Sequence, residues 1–143
     1  MGAARPFWLT AFLDFPAAEY DAGVRFWTHA TGFDASAPRG ENSEFATLLP
    51  ASGDDYLRVQ RLGDGVTRLH LDLHVVDPWA AAEAAEDLGA ELVDDSRHSY
   101  VVLRSPGGIV LCFVTQPAAS VPPAAVWPAG QTSRLAQVCW DVP

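Results

Sequence analysis

Hydrophobic and polar residues alternate along much of the chain, and the period of the pattern changes at regular points. Residues 67–76 alternate strictly, with leucine and valine on one side and Arg68, His70, Asp72 and His74 on the other, which predicts a half-buried β-strand. Apolar positions in residues 21–31 recur at helical spacing and stop at Gly32, which predicts a helix that Asp21 can cap. A second helix is predicted over residues 79–88, after Asp77-Pro78. Further strands are predicted at residues 7–15, 44–49, 56–62, 90–94, 99–104 and 109–115, with a loop at 34–43 and turns at 96–98 and 105–108.

The predicted elements occur twice in the same order. A strand, a helix and two or three further strands fill residues 7–62, and a similar series fills residues 67–116. Each series is too short to bury a sheet face alone, so we expect the two to pair. We therefore predict an α+β fold of two paired βαβββ modules within one domain, residues 1–116.

The C-terminal part of the chain has a different character. Residues 117–133 are rich in proline and alanine, which predicts a linker. Residues 135–143 resemble residues 8–16, since both are apolar and end in aspartate, an apolar residue and proline. We interpret residues 134–143 as the first strand of a second, truncated domain of the same kind, with chance similarity as the alternative. An unpaired apolar strand is expected to add to a sheet edge, in its own chain or in a partner.

Composition narrows the class of protein. The chain has 143 residues and a formal net charge of −9, and all nine basic residues are arginine. An acidic surface repels phosphate backbones, so we expect no nucleic-acid partner. No apolar run reaches the roughly 20 residues of a membrane span, and the N-terminus shows no signal peptide, so we expect no membrane partner and a cytoplasmic location. The absence of lysine and the high alanine content are typical of a GC-rich bacterial genome. The two cysteines, Cys112 and Cys139, are too few for a disulfide scaffold, so we expect both to be buried thiols.

Four segments resemble the vicinal oxygen chelate superfamily, which includes glyoxalase-like, bleomycin-resistance and dihydroxybiphenyl-dioxygenase domains. They are Val24-Arg25-Phe26-Trp27 with Thr31-Gly32-Phe33, then 69–75, 84–90 and 105–112. The resemblance covers residues 7–116. It implies a cupped mixed sheet made by the paired βαβββ modules, a small-molecule ligand or metal inside the cup, and a homodimer.

The resemblance also implies four metal-ligand positions, one on the first and one on the last strand of each module. Here these positions hold Thr10, Gln60, His70 and Cys112. Only His70 is an ordinary ligand, and the carboxylate that catalytic members carry at the last strand is replaced by Cys112. We therefore expect no metal cofactor. A divalent ion (Zn, Ni, Mn or Fe) held by His70 and Gln60 is the alternative that the superfamily implies.

Other side chains are candidates for ligand contact. His70 and His74 share one strand face, and His70 is the candidate catalytic residue. Asp72 lies between them, where it either orients an imidazole or pairs with Arg58 or Arg68. The ligand-binding prediction is completed by residues on strands that would line the cup: Thr10, Phe12, Arg58, Gln60, His70, Asp72, Tyr100 and Cys112. Cys112 fits an unreactive core thiol better than a nucleophile, because no cationic residue is adjacent in sequence.

Three functional hypotheses follow. The first is a glyoxalase-like protein that binds a small organic ligand without the full metal site. The second is a drug-binding protein of the bleomycin-resistance type, which an acidic, aromatic-lined groove would suit. The third is a metal-dependent lyase, isomerase or dioxygenase. Whether the protein is an enzyme stays open; an enzyme of this type would be a glyoxalase-like lyase or a related oxidoreductase.

Overall fold

A computed structural model describes residues 5–94, 99–139 and 141. In chain order, these residues form β1 (Trp8–Pro16), α1 (Ala17–Thr31), β2 (Asp34–Ala35), β3 (Phe45–Leu49), β4 (Leu57–Leu62), β5 (Arg68–His74), α2 (Pro78–Glu86), β6 (Glu91–Asp94), β7 (Val101–Arg104), β8 (Val110–Val114), β9 (Ala125–Val126) and β10 (Thr132–Ser133). The α+β class and both βαβββ series are therefore confirmed. The predicted turn at residues 96–98 lies outside the described residues. Within the described ranges, no helix has the length and hydropathy needed to cross a bilayer.

The described chain divides into two compact units. The first unit contains residues 11–69, 120–139 and 141, and the second unit contains residues 5–10, 70–94 and 99–119. The division falls within β1, after Thr10, and within β5, after Leu69.

The first unit is a mixed sheet with a helix. Its strand order is β2-β3-β4-β1, with β1 parallel to β4 and the other neighbours antiparallel. Leu48, Leu57 and Val59 are almost completely buried and form its centre. Helix α1 lies close to β1, because a Cβ added at Gly23 would stand 2.8 Å from the ring of Phe15. Glycine at this position therefore allows helix and strand to approach each other.

The boundaries of α1 correct one prediction and confirm another. The helix begins at Ala17 directly after Pro16, so Asp21 lies inside it and is not its cap. Proline has a fixed φ, −52° here, and can lead straight into a helix without a side-chain cap. The helix ends as predicted at Gly32, which has a φ of 71° and donates its N–H to the carbonyl of Thr28 at 2.9 Å. The predicted loop at 34–43 contains the two-residue strand β2, which is too short to show a sequence pattern.

The second unit repeats this arrangement. Its strand order is β5-β8-β7-β6, with β5 parallel to β8. Asp77 caps α2 by accepting the N–H groups of Trp79 and Ala80 at 3.1 Å. A core formed by residues 75, 81, 82, 101, 103 and 113 is packed by side chains of α2 and of one sheet face, including Leu73. The even-numbered side chains of β5 point to the opposite face, because strand side chains alternate.

The C-terminal segment packs within the first unit. Asp54 donates its N–H to the carbonyl of Ser120 at 2.7 Å and accepts the Ser120 N–H on Oδ2, also at 2.7 Å. Pro122 is fully buried, and β9 and β10 form a short antiparallel pair. Residues 134–139 and 141 belong to no strand of this chain, so the expected addition of the tail to its own sheet is wrong for these residues. Addition to a partner, and the interpretation of the tail as part of a further domain, stay predictions.

Candidate functional site

Three potential ligand atoms converge on one face of the second unit. One nitrogen of His70, one carboxylate oxygen of Asp72 and the Sγ of Cys112 all lie within 4.8 Å of one another. His70 Nε2 stands 3.8 Å from Asp72 Oδ1. Asp72 is buried, whereas His70 and Cys112 are half-buried. We refer to these three residues as the His-Asp-Cys group.

Strand geometry explains why the three side chains meet. His70 and Asp72 are two residues apart on β5, so they point to the same face. The parallel pairing of β5 with β8 places Asp72 directly opposite Cys112, and it places Leu71 opposite Leu111 on the other face. That other face belongs to the hydrophobic core, which leaves the polar face for the His-Asp-Cys group.

Tyr100 and Asp94 contribute to the same surroundings. Burial raises the pKa of the Tyr100 hydroxyl above its ordinary value, and the negative charges of Asp94, Cys112 and Asp72 raise this pKa further. Tyr100 is nevertheless 41% exposed, so its ring is accessible to solvent. Ligand contact by Tyr100 stays a prediction. Asp94 was not among the predicted residues, since a single aspartate at a strand end has no distinguishing pattern.

Two arginines considered as partners of Asp72 form ion pairs within the first unit. Arg58 pairs with Asp55, Nε to Oδ2, at 2.7 Å. Arg68 pairs with the buried Asp14 at 3.2 Å. A local carboxylate therefore pairs with Arg58 and a cross-strand carboxylate with Arg68, and the alternative of an Asp72 pair with either arginine stays a prediction.

His74 lies apart from His70, although both are on the same face of β5. Four residues separate them, which is roughly 13 Å along a strand. His74 is fully buried, with Nδ1 2.7 Å from the carbonyl of Gln116 and Nε2 2.9 Å from the hydroxyl of Thr10. A carbonyl only accepts, so Nδ1 carries a proton and, in the neutral ring, Nε2 accepts the proton of Thr10. His74 therefore joins β5 to the start of β1.

The remaining predicted contact residues belong to the first unit. The rings of Phe12 and Phe45 meet edge to face at 6.2 Å, and the Arg58 guanidinium lies 5.9 Å from the centre of the Phe12 ring. Gln60 is half-buried and stands opposite Phe45 on β3 and Asp14 on β1. Phe12, Phe45 and Arg58 therefore form an aromatic and cationic group within the first unit.

A cavity in the first unit was not predicted. It has a volume of about 500 Å³ and is lined mainly by apolar side chains, including Leu13, Phe15 and Trp27, together with Cys139 of the tail. Cys139 is exposed, which corrects the expectation of two buried thiols. The cavity depends on where the C-terminal tail packs, and no local sequence pattern reports that.

The donor types of the His-Asp-Cys group define what it can do chemically. An imidazole nitrogen, a carboxylate oxygen and a sulfur are all known ligands of divalent cations. The same atoms can also accept or donate hydrogen bonds to a small organic molecule. The expectation that no metal binds rested on four positions taken one by one, and it did not include Asp72 as a third donor beside His70 and Cys112.

Comparison with known proteins shows the wider relationship. Residues 10–114 match the family model described as a glyoxalase-like domain. Searching the curated proteins found no match.

Solved structures of the same fold come from several enzymes. A variant of methylmalonyl-CoA epimerase from Streptomyces coelicolor, solved with 2-nitronate-propionyl-CoA, has a TM-score of 0.59 and 18% identity, over 82% of this chain and 100% of that chain. An extradiol ring-cleaving dioxygenase from B. fuscum has a TM-score of 0.53 and 17% identity, over 83% of this chain but only 35% of that chain. The Mn(II)-bound glyoxalase from Novosphingobium aromaticivorans has a TM-score of 0.51 and 14% identity, over 82% of this chain and 42% of that chain. At these identities the likeness concerns the fold.

Proposed function

Because this chain belongs to the glyoxalase-like domain family of the vicinal oxygen chelate superfamily, we propose that it binds a small organic molecule against the polar face of the second unit. The ligand contacts the His-Asp-Cys group and the accessible ring of Tyr100. One observation carries the proposal: titratable side chains converge on the sheet face that the core does not use. Ligand sites combine apolar or aromatic walls with a few convergent polar groups of this kind.

The charge of this face favours one class of ligand. Asp72, Asp94 and Cys112 together impose a negative potential on Tyr100. The chain as a whole carries a formal net charge of −9. Such a surface attracts a molecule with a cationic or hydrogen-bond-donating group, and the ring of Tyr100 offers a stacking surface to a flat one.

A second candidate function is metal-dependent chemistry, as in a lyase, isomerase or dioxygenase. The observation that favours it is the set of three donor atoms within 4.8 Å. The donors fit a divalent cation, which His70, Asp72 and Cys112 would hold. A bound cation would polarise an oxygen of the ligand and stabilise developing negative charge. Tyr100 would then orient the ligand from the side.

A small panel of probes tests the proposed binding. The probes are methylglyoxal, catechol, propionyl-CoA and bleomycin, which represent a vicinal dicarbonyl, an aromatic diol, a thioester and a cationic drug. A ligand at 100 times its Kd stabilises the folded state by about 2.7 kcal/mol. For a domain of this length that raises Tm by several degrees, which a thermal melt detects.

Two pairs of variants locate the contact. His70→Ala and Tyr100→Ala should abolish the Tm shift and the saturation-transfer NMR signal of the bound probe. The matched controls are His29→Ala, on the exposed side of α1, and Tyr56→Phe, in the first unit. Both control variants should retain the Tm shift and the NMR signal of the bound probe. Binding that survives both site variants would disprove the proposed location, and failure of all four probes would count against the proposal itself.

A homodimer and a cytoplasmic location stay predictions. Light scattering on the eluting protein during size-exclusion chromatography measures the oligomeric state directly.

A further inference from the structure

We propose that the exposed face of α1 binds the same face of a second copy of this chain, with the two helices antiparallel. This surface, the α1 face, consists of Ala18, Ala22, Phe26 and Ala30. The inference assigns an interface to the predicted homodimer. It concerns the first unit alone, so it does not depend on ligand binding at the His-Asp-Cys group.

The α1 face is apolar and open to solvent. Its four residues follow one another at intervals of four, so they form a single row along the helix. Phe26 is 63% exposed, and its ring meets Trp27 edge to face at 5.3 Å. The ring borders a shallow recess that extends along the helix to Ala30. An exposed aromatic ring beside a recess, within a row of apolar side chains, is typical of a surface that binds another protein.

The order of residues on the α1 face is self-complementary. A two-fold axis beside Val24 lies midway between Ala22 and Phe26, and also midway between Ala18 and Ala30. In an antiparallel pair around this axis, each Phe26 ring therefore rests on Ala22 of the second copy, where the small side chain leaves room for it. Ala18 then faces Ala30 of the second copy at both ends. The large and small side chains of the two rows interlock, as helix packing requires.

The charges on α1 favour the same register. The axis beside Val24 also lies midway between Glu19 in the first turn and His29 in the last turn, so each Glu19 faces His29 of the second copy. His29 donates from Nδ1 to the carbonyl of Arg25 at 2.7 Å, and in the protonated ring Nε2 can donate to this carboxylate. Glu19 accepts the hydroxyl of Thr67 on Oε2 at 2.8 Å, which holds its carboxylate at the helix surface. Antiparallel pairing also sets the positive end of each helix dipole beside the negative end of the other.

The size of the contact sets the expected strength of the dimer. Helix α1 has 15 residues and is about 22 Å long. A contact of one such helix from each chain buries less than the roughly 1,600 Å² of a standard interface. The formal net charge of −9 on each copy also opposes association. We therefore expect a weak dimer, with a Kd of about 10–100 μM.

The first measurement is sedimentation equilibrium of the full chain at concentrations below and above this Kd. Phe26→Ser should weaken dimerisation by at least about 10-fold, because each dimer buries two Phe26 rings. Leu88→Ser is the matched control: Leu88 is 82% exposed and lies in the second unit, so this variant should keep the wild-type Kd. Circular dichroism checks that both variants are folded. A wild-type chain that stays monomeric at about ten times the expected Kd would overturn the proposal.

The second measurement tests the register by reversing charges. Glu19→Lys alone and His29→Glu alone should each weaken the dimer by at least about 3-fold, because the first removes both pairs and the second sets two carboxylates against each other. The double variant restores opposite charges and should return the Kd to within about 3-fold of the wild-type value. Within one chain, Glu19 and His29 are separated by about 15 Å of helix, so such a rescue arises only between chains. A double variant as weak as the single variants would refute the antiparallel register.

These outcomes separate the α1 interface from the other proposals. A dimer that survives Phe26→Ser with its Kd unchanged would refute the α1 interface, while the homodimer itself would be shown. If Phe26→Ser loses the dimer and keeps the Tm shift with an organic probe, both the α1 interface and the proposed ligand binding are supported. If Phe26→Ser loses the dimer and all four probes fail to bind the wild-type chain, the α1 interface stands and the proposed ligand binding fails.

Discussion

Replacement of His74 by alanine should destabilise the protein by about 4–5 kcal/mol, although this histidine lies outside the His-Asp-Cys group. The substitution removes two hydrogen bonds, to Gln116 and Thr10, worth about 1 kcal/mol each. It also leaves the hydroxyl of Thr10, which is fully buried, without this partner, at a cost of about 1 kcal/mol or more. Loss of the buried ring leaves a small cavity that adds about 1–2 kcal/mol. The total is a large fraction of the roughly 5–15 kcal/mol by which a domain is stable.

Chemical denaturation followed by fluorescence measures this loss as a change of midpoint at constant slope. Thr10→Val removes the hydroxyl but keeps the shape, and it should cost about 1–2 kcal/mol. In the double variant, the losses of stability caused by His74→Ala and Thr10→Val should not add, because each single change already breaks the same hydrogen bond. The sum of the two single losses should exceed the loss in the double variant by about 1 kcal/mol or more. His29→Ala, at an exposed histidine, should cost less than about 1 kcal/mol and is the matched control.

The reasoning fails if His74→Ala costs less than about 1 kcal/mol, or if the two changes add within the roughly 0.5 kcal/mol expected of independent sites. Either result would mean that the Thr10–His74 bond does not hold the start of β1 against β5.

Three further predictions concern other parts of the fold. The Tyr20 hydroxyl is buried with no hydrogen-bond partner among the described residues, so Tyr20→Phe should be neutral or stabilising by about 1 kcal/mol in urea denaturation. Burial raises the pKa of Tyr20, so the folded state holds the hydroxyl proton more firmly than the unfolded chain does. The contribution of Tyr20 to the free energy of unfolding is therefore fully present below about pH 10 and is lost as the pH rises through the folded pKa. Tyr20→Phe should make this alkaline loss of stability less steep. Asp77→Ala should lower stability by about 0.5–2 kcal/mol in the same assay through loss of the α2 cap, whereas Asp77→Asn should retain most of it. Gly53→Ala should lower the free energy of unfolding by more than about 1 kcal/mol and increase proteolysis near residue 120. The reason is that Gly53 has a φ of 83° and that a Cβ there would stand 2.8 Å from the carbonyl oxygen of Ser120. Unchanged protease resistance would contradict this packing.

Local patterns were sufficient for most of the fold. The strict alternation of residues 67–76 predicted both the strand and the shared face of His70 and Asp72, because a strand side chain repeats every two residues. Asp77-Pro78 predicted the start of α2, since a cap and a proline act on the first turn alone. The start of α1 was missed by four residues, because Pro16 replaced a side-chain cap that the sequence suggested at Asp21.

The candidate site depended on contacts that local patterns do not contain. The sequence by itself determined that Asp72 and Cys112 lie on strands, but their pairing depends on the register between β5 and β8, which belong to distant parts of the chain. Two histidines on one strand face were equivalent in the sequence. Tertiary structure alone decided that His74 is enclosed by Thr10 and Gln116, whereas His70 lies beside a carboxylate and a thiol. The physical reason is that the period of a pattern specifies which face a side chain occupies, while packing between distant segments decides what it meets there.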